Sequence, residues 1–253
     1  MPTLSRAVPT LMSRRIPAIA AALSVLVLGA PLLTGCSDFA ETIAFGNARD
    51  KYAKGDYQGA IIDYDKAIKI NPKDVDAYIN RGLAKRNLND YQAAIADFSK
   101  ATQLNPNYAR AYYHRGNAKS DLEDFQGATV DFGKAIQLDR EYVIAYYNRG
   151  FVKGKLNDYQ GAIADFSKAI QLDPHYAKAY NNRGYVKGKL KDYQSAIADY
   201  NKAIAINPQH ALAYTNRGIA KELVKDLEGA CADWRKAAAL GNRDAARWVS
   251  KQC

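Results

Sequence analysis

Three histidines, three cysteines and eight prolines are few for a chain of 253 residues. His114, His175 and His210 have no cysteine or acidic cluster beside them at metal-ligand spacing, so no metal site is predicted. No phosphate loop, nucleophile elbow or paired-acid motif occurs either, and the chain reads as a non-enzyme without a cofactor. Acid is missing altogether from the first 35 residues, which hold Arg6, Arg14 and Arg15. Beyond them 33 basic residues face 26 acidic ones. That excess suits attraction to an anionic surface but does not mark a nucleic-acid binder, and no nucleic-acid partner is expected. What is abundant points to a folded chain: 48% of residues are hydrophobic and 25% charged.

The three arginines form a basic head, Ile16 to Leu33 an apolar run of 18 residues, and Thr34-Gly35 a small-residue stop. This is the three-part pattern of an export signal, expected over 1–35 and outside the fold. A run of this length also approaches the minimum for a membrane span, but Pro17 and Pro31 interrupt it and no basic cluster follows. Ser13-Arg14-Arg15 resembles a twin-arginine signal, although Ile16-Pro17-Ala18 lacks the bulky apolar pair that normally follows. Leu33-Thr34-Gly35-Cys36 resembles the lipobox of bacterial lipoproteins. That resemblance implies acylation of Cys36 at sulfur and nitrogen, leaving a protein held at a membrane by its acyl chains and facing the periplasm. Asp38 stands one place beyond the position at which the resembled family carries its inner-membrane retention signal, which favours the outer membrane.

After a short tether, 36–40, the chain repeats itself. YINRGLAKRNLNDYQAAIADFSKATQLNP from Tyr78, YYNRGFVKGKLNDYQGAIADFSKAIQLDP from Tyr146 and YNNRGYVKGKLKDYQSAIADYNKAIAINP from Tyr180 align at 34 residues or a multiple of it. A small residue recurs at position 8 (Gly82, Gly116, Gly150, Gly184, Gly218), and alanine recurs at positions 20 and 27. With helical patterning, this period resembles the tetratricopeptide repeat. The resemblance covers 41–244 in six units and implies an all-α fold: a right-handed α-solenoid of helix-turn-helix repeats with a C-terminal capping helix over 243–253. The packing reason is that antiparallel helices approach closely only where their facing side chains are small. Repeat 1 departs from the pattern with Ala48 at position 8 and Ala44 at position 4, as a terminal unit should. Arg140 replaces the proline that follows the second helix elsewhere, predicting a less sharp end to repeat 3. Asp56, Asp90, Asp124, Asp158, Asp192 and Asp226 stand where each second helix should begin, as N-caps.

Arginine at position 7 and lysine at position 11 form a basic ladder, while position 23 is always aspartate. In a hairpin turning near position 15, position 7 lies opposite 23 or 24. Pairing between helices is therefore predicted in preference to an anion-binding stripe.

Positions 2, 5, 6, 9 and 13 share the other face of the first helix. Tetratricopeptide domains commonly bind extended peptides there, and the resemblance implies a groove carrying Asn80, His114, Asn148, Asn182 and Asn216 at position 6. Tyr113 and Tyr147 at position 5 and Phe151 and Tyr185 at position 9 lie beside them. Amides in a row resemble the asparagine ladders of long tetratricopeptide superhelices, and the aromatics would add contact area at little cost to stability. No position 5 is lysine and no position 6 is arginine, so the clamp of chaperone-binding members is absent. The resulting expectation is a membrane-anchored adaptor holding envelope proteins or peptides in its groove; the alternative is a binding module for an anionic glycan or lipid headgroup.

Cys231 lies 11 residues before Asn242 and Cys253 11 after it, so a hairpin turning there brings them level. A disulfide is predicted, since an exported protein lives where disulfides persist; otherwise Cys231 fills a core position held elsewhere by isoleucine.

Overall fold

The computed structural model describes residues 32–253, with side chains from Phe39 onward. Residues 1–31 of the export-signal reading and the Cys36 side chain on which the lipidation rests thus lie outside what it describes. Among the described residues there are thirteen helices and no strand. They are α1 (Leu32–Ala53), α2 (Tyr57–Ile70), α3 (Val75–Asn87), α4 (Tyr91–Leu104), α5 (Ala109–Asp121), α6 (Phe125–Leu138), α7 (Val143–Lys155), α8 (Tyr159–Leu172), α9 (Ala177–Lys189), α10 (Tyr193–Ile206), α11 (Ala211–Leu223), α12 (Leu227–Ala239) and α13 (Arg243–Gln252). Each helix packs antiparallel on the next in an α-solenoid. Consecutive first helices (α3 with α5, α7 with α9) also touch, whereas second helices stay farther apart, so the odd-numbered helices line the tighter, inner side. Residues 36–40 do not form a separate tether: α1 runs through them, as no glycine or proline interrupts the chain between Gly35 and Gly46.

Every second helix starts as its aspartate dictates. Asp56 accepts from the amide of Gly59 at 2.8 Å and Asp158 from Gly161 at 2.9 Å. A Cβ on Gly59 would lie 2.1 Å from the Asp56 carboxylate. Where the third residue carries a Cβ, as at Ala93 and Ser195, the cap bond lengthens to 3.2 Å. The turn before each cap places Gly55, Asn89, Glu123, Asn157, Lys191 or Lys225 at φ between 60 and 81°.

The end of repeat 3 is as sharp as the others, contrary to expectation. The Asp139 side chain accepts from the amide of Glu141 at 3.0 Å, as Asn105 does from Asn107 at 3.1 Å, so this local turn stops α6 without proline.

The core repeats with the sequence. Phe98, Phe132, Phe166, Tyr200 and Trp234 at position 24 are buried against the glycine at position 8 of the same unit. A Cβ on Gly82 would come 2.7 Å from Phe98, and on Gly218 2.4 Å from Trp234. Burying each such ring contributes about 2–3 kcal/mol, which the absent Cβ makes possible. Beside this apolar core, each position-23 aspartate is buried, and in repeats 2 to 6 it is gripped by two basic side chains of the facing first helix. Arg149 donates from Nε and Nη2 to Asp165 at 2.8 and 2.6 Å, and Lys153 lies 2.8 Å from the same carboxylate. Equivalent triads join Arg81, Lys85 and Asp97; Arg115, Lys119 and Asp131; Arg183, Lys187 and Asp199; and Arg217, Lys221 and Asp233. Each arginine also lies over the position-4 tyrosine, Arg149 at 5.7 Å from the Tyr146 ring centroid. Repeat 1 has Asn47 at position 7, and there Lys51 and Lys66 each lie 2.6 Å from Asp63. Their hydrogen bonds, Lys51 first, hold the Asp63 carboxyl below its ordinary range. The basic ladder is thus consumed by the fold.

At the C-terminal end α13 covers α12: Ala245 is buried, and Trp248 and Val249 pack on Trp234 and Ala237. Cys231 and Cys253 are joined by a disulfide with Cα atoms 5.6 Å apart, tying the last residue to α12.

Candidate peptide-binding groove

The inner surface is made by first helices, and its two halves differ. In repeats 1 to 3 polar side chains are tied to one another: Arg86 to Asp121 at 2.5 Å and Asn87 to the Tyr52 hydroxyl at 2.8 Å across units, and the Tyr108 hydroxyl to Asp76 at 3.2 Å within repeat 2. In repeats 4 to 6 the surface opens into a cavity of about 450 Å³ between α7, α9 and α11, lined by Phe151, Gly154, Lys155, Asn182, Tyr185 and Leu212 among others. A second recess of about 260 Å³ continues it through Tyr185, Lys189 and Asn216 to Ile219 and Leu223. Phe151 is 43% exposed, and Tyr185, Leu212 and Leu223 are each 50% exposed. Lys155 lies over the Phe151 ring at 5.5 Å and Lys189 over Tyr185 at 5.2 Å, and neither makes an ion pair among the described residues.

The expected groove residues divide into three kinds. Phe151 and Tyr185 face the open groove, as position 9 predicts. Tyr113 and Tyr147 do not present free rings. Tyr147 packs on Phe166 and Tyr176, at 5.8 and 4.9 Å between centroids, and Tyr113 packs on Phe132 and Tyr142 at 6.0 and 5.1 Å. Their packing corrects the expectation that these aromatics contribute little to stability. Position 5 points into the seam between units because tyrosine at position 34, Tyr142 or Tyr176, closes over it. Burial raises the Tyr147 phenol above its ordinary pKa.

The position-6 asparagines form a ladder, but one directed along the solenoid. Asn148 donates to Asn117 at 2.8 Å and to the Tyr113 hydroxyl at 3.3 Å. Asn182 donates to the Tyr147 hydroxyl at 3.0 Å, and Asn216 to Asn181 at 3.1 Å. Much of their donor capacity is therefore spent between repeats, leaving part of each amide for a ligand. Asn80 bonds its own helix at the Asp76 carbonyl, 2.8 Å away, and lines a separate recess with Arg49 and Tyr52. His114 is a packing residue: it stacks on Phe98 at 5.7 Å, accepts from Arg110 at 3.2 Å, and its buried Nδ1 has no partner. Burial, with Arg110 and Arg86 nearby, pushes its pKa down to about 4.

Gly154, Lys155, Asn181, Gly188, Lys189, Leu212 and Leu223 were not picked out by the sequence reasoning. A signal existed in the departures from the repeat. Position 12 is Tyr52, Arg86, Ser120 and Glu222 elsewhere but Gly154 and Gly188 in adjacent units, each followed by lysine. No group of residues among those described could hold a metal ion, and no described helix is long and apolar enough to cross a membrane.

Stacked helical hairpins with a lined inner groove define a helical-repeat binding scaffold. Family comparison specifies it further: the tetratricopeptide-repeat model matches residues 75–108, 143–176 and 177–210, a second tetratricopeptide-repeat model 109–142, and a TPR-repeat model 48–87. The chain belongs to the tetratricopeptide-repeat family, and the structure continues the same hairpin through a sixth unit, α11 and α12. Comparison with curated proteins gave no match. Among solved structures, MamA is 28% identical over 68% of this chain and 94% of its own, with a TM-score of 0.62. YrrB, described as a TPR protein with an unusual peptide-binding site, is 26% identical over 74% of this chain and 97% of its own, with a TM-score of 0.63. PilF of Pseudomonas aeruginosa shares the fold, with a TM-score of 0.72 at 17% identity over 85% of this chain and 99% of its own. The family and these neighbours point to protein or peptide interaction as the general activity.

Proposed function

We propose that this protein is a membrane-anchored adaptor that captures extended segments of envelope proteins in the groove of repeats 4 to 6. The observation that carries the reading is the open cavity of about 450 Å³ between α7, α9 and α11, in which Phe151, Tyr185 and Leu212 are exposed beside asparagine amides. Aromatic area ringed by polar groups is the composition of a peptide-binding surface. The likeness to YrrB, whose description names a peptide-binding site, supports it. The anchor rests on Leu33-Thr34-Gly35-Cys36 and the signal-like segment before it, and export to a bacterial envelope follows from the same residues. A lipid-anchored scaffold of this kind holds its ligand near the membrane and needs no catalytic group. The anionic-ligand alternative loses its ladder, because positions 7 and 11 are paired with buried aspartates.

The test combines anchor and groove in intact cells. A photocrosslinking residue at Tyr185 should yield discrete polypeptide adducts that are missing when it is placed at Val130, on the outer face. Cys36→Ser should abolish acyl labelling and release the protein from its membrane fraction. Identical adducts from both positions would remove the groove reading, and unchanged labelling of Cys36→Ser would remove the anchor.

A further inference from the structure

The reading of the groove as a peptide site leaves its preference open, and the chemistry of repeats 4 to 6 narrows it. Resting on that reading, we infer that this half-groove selects extended segments in which apolar side chains alternate with carboxylates, entering two notches one repeat apart.

Three observations meet there. The walls of the two contiguous cavities contain Lys155 and Lys189 and no acidic residue. Of the other lysines of the same helices, Lys153 and Lys187 are held by buried aspartates and Lys178 lies outside both cavities, so Lys155 and Lys189 are the cations their walls offer a ligand. Gly154 and Gly188 then remove the side chains that would fill the wall just before each lysine. A Cβ on Gly188 would meet nothing within 4 Å, and one on Gly154 only Val186 at 3.8 Å. Each notch opens beside an exposed ring, Phe151 or Tyr185, on which an apolar side chain can lie. The pattern occurs twice, in α7 and α9, which makes a periodic ligand the natural fit. Packed helices lie about 10 Å apart, which three residues of extended chain span at about 3.3 Å each. Repeats 1 to 3 lack the glycine-lysine pair: Arg86 and Ser120 occupy position 12, Arg86 is already paired with Asp121, and the recess beside Arg49 and Tyr52 has Asp50 in its wall.

The experiment uses a fluorescein-labelled nonapeptide of Phe-Glu-Ser repeated three times, with Phe-Lys-Ser and Ala-Glu-Ser versions as controls, and reads anisotropy against the full chain. The acidic aromatic peptide should bind at least about tenfold more tightly than either control, since two exposed charge contacts and two buried rings distinguish them. Lys155→Gln with Lys189→Gln should bring the acidic and basic peptides to within about twofold. Gly188→Gln should weaken binding about tenfold while raising rather than lowering the melting temperature, because it replaces a helical glycine; loss of binding therefore cannot come from loss of fold. Ser120→Gln, at the equivalent position of the first half, should leave binding unchanged. Equal or tighter binding of the basic peptide, or indifference to Gly188→Gln, overturns the inference. Peptides that bind and are lost with Gly188→Gln but show no charge preference overturn it while leaving the groove in place. Failure of every peptide overturns it as well, and the Tyr185 crosslink then decides separately whether the groove binds protein at all.

Discussion

Arg149 differs from its counterparts in one bond, and filling that gap should stabilise the solenoid. The Nη1 of each position-7 arginine reaches back to position 25 of the preceding repeat: Arg81 to Asp65 at 2.6 Å, Arg115 to Ser99 at 3.3 Å, Arg183 to Ser167 at 2.9 Å and Arg217 to Asn201 at 2.6 Å. Position 25 of repeat 3 is Gly133, inside α6, so Arg149 finds no side chain there. A Cβ built on Gly133 would sit 3.6 Å from Arg149 Nη1 with nothing else within 4 Å, so a serine hydroxyl fits without displacing a neighbour. Gly133→Ser should gain about 0.5 kcal/mol from helix propensity. A hydrogen bond to the guanidinium adds about 1 kcal/mol. The total of about 1.5 kcal/mol corresponds to a rise of about 3–6 °C in Tm for a chain of this size. Thermal unfolding followed by circular dichroism provides the assay, with Gly133→Ala as control. Alanine gains about 1 kcal/mol from propensity but no bond, so serine should exceed it although serine is the poorer helix former. In an Arg149→Lys background, which lacks the second nitrogen, that order should reverse. Alanine more stable than serine in the native background would refute the bond and the inter-repeat role assigned to position 25.

Four further outcomes follow from the packing. His114 has a folded pKa of about 4, below the 6.5 of its unfolded value, so stability is complete above pH 6.5 and falls as pH drops toward 4, by up to about 3 kcal/mol; urea midpoints at neutral and acid pH should show a shallower fall for His114→Asn, and an unchanged slope would contradict it. Tyr147→Ala should cost about 2 kcal/mol, because its ring packs on Phe166 and Tyr176, whereas Tyr185→Ala on the open groove should cost under about 0.5 kcal/mol; equal calorimetric losses would show that the faces are assigned wrongly. Lys191 and Lys225 sit at φ 62 and 71°, so Lys225→Gly should add about 0.5–1 kcal/mol by relieving a left-handed backbone, measured as a higher melting temperature. Reduction of the Cys231 to Cys253 disulfide, which closes a sequence separation of 22, should remove about 3 kcal/mol from the C-terminal unit; tryptophan emission from the packed pair Trp234 and Trp248 should shift red before the helices of repeats 1 to 4 melt, and coincident transitions would argue against it.

Much of this molecule was determined by sequence alone, for a reason that applies to repeats in general. Each unit contacts only its neighbours, so the requirements for its helices recur every 34 residues and become visible as recurring identities. Glycine at position 8 facing a ring at position 24, aspartate as N-cap, and aspartate at position 23 opposite arginine were all readable, because each is a local or hairpin-level demand. The missing proline at Arg140 misled, since the Asp139 turn ends α6 unaided. Tertiary structure alone decided the inner surface. Tyr113 and Tyr147 lie on the predicted helix face, yet Tyr142 and Tyr176 from the following loop close over them, and no helical period records where a loop side chain will lie. The recurrence of asparagine at position 6 was readable, but the partners of the amides became clear only once adjacent repeats were stacked. Gly154 and Gly188 open the groove because no neighbouring side chain fills the space beside them, and a cavity is a property of several helices at once, which the residues of any one helix do not contain.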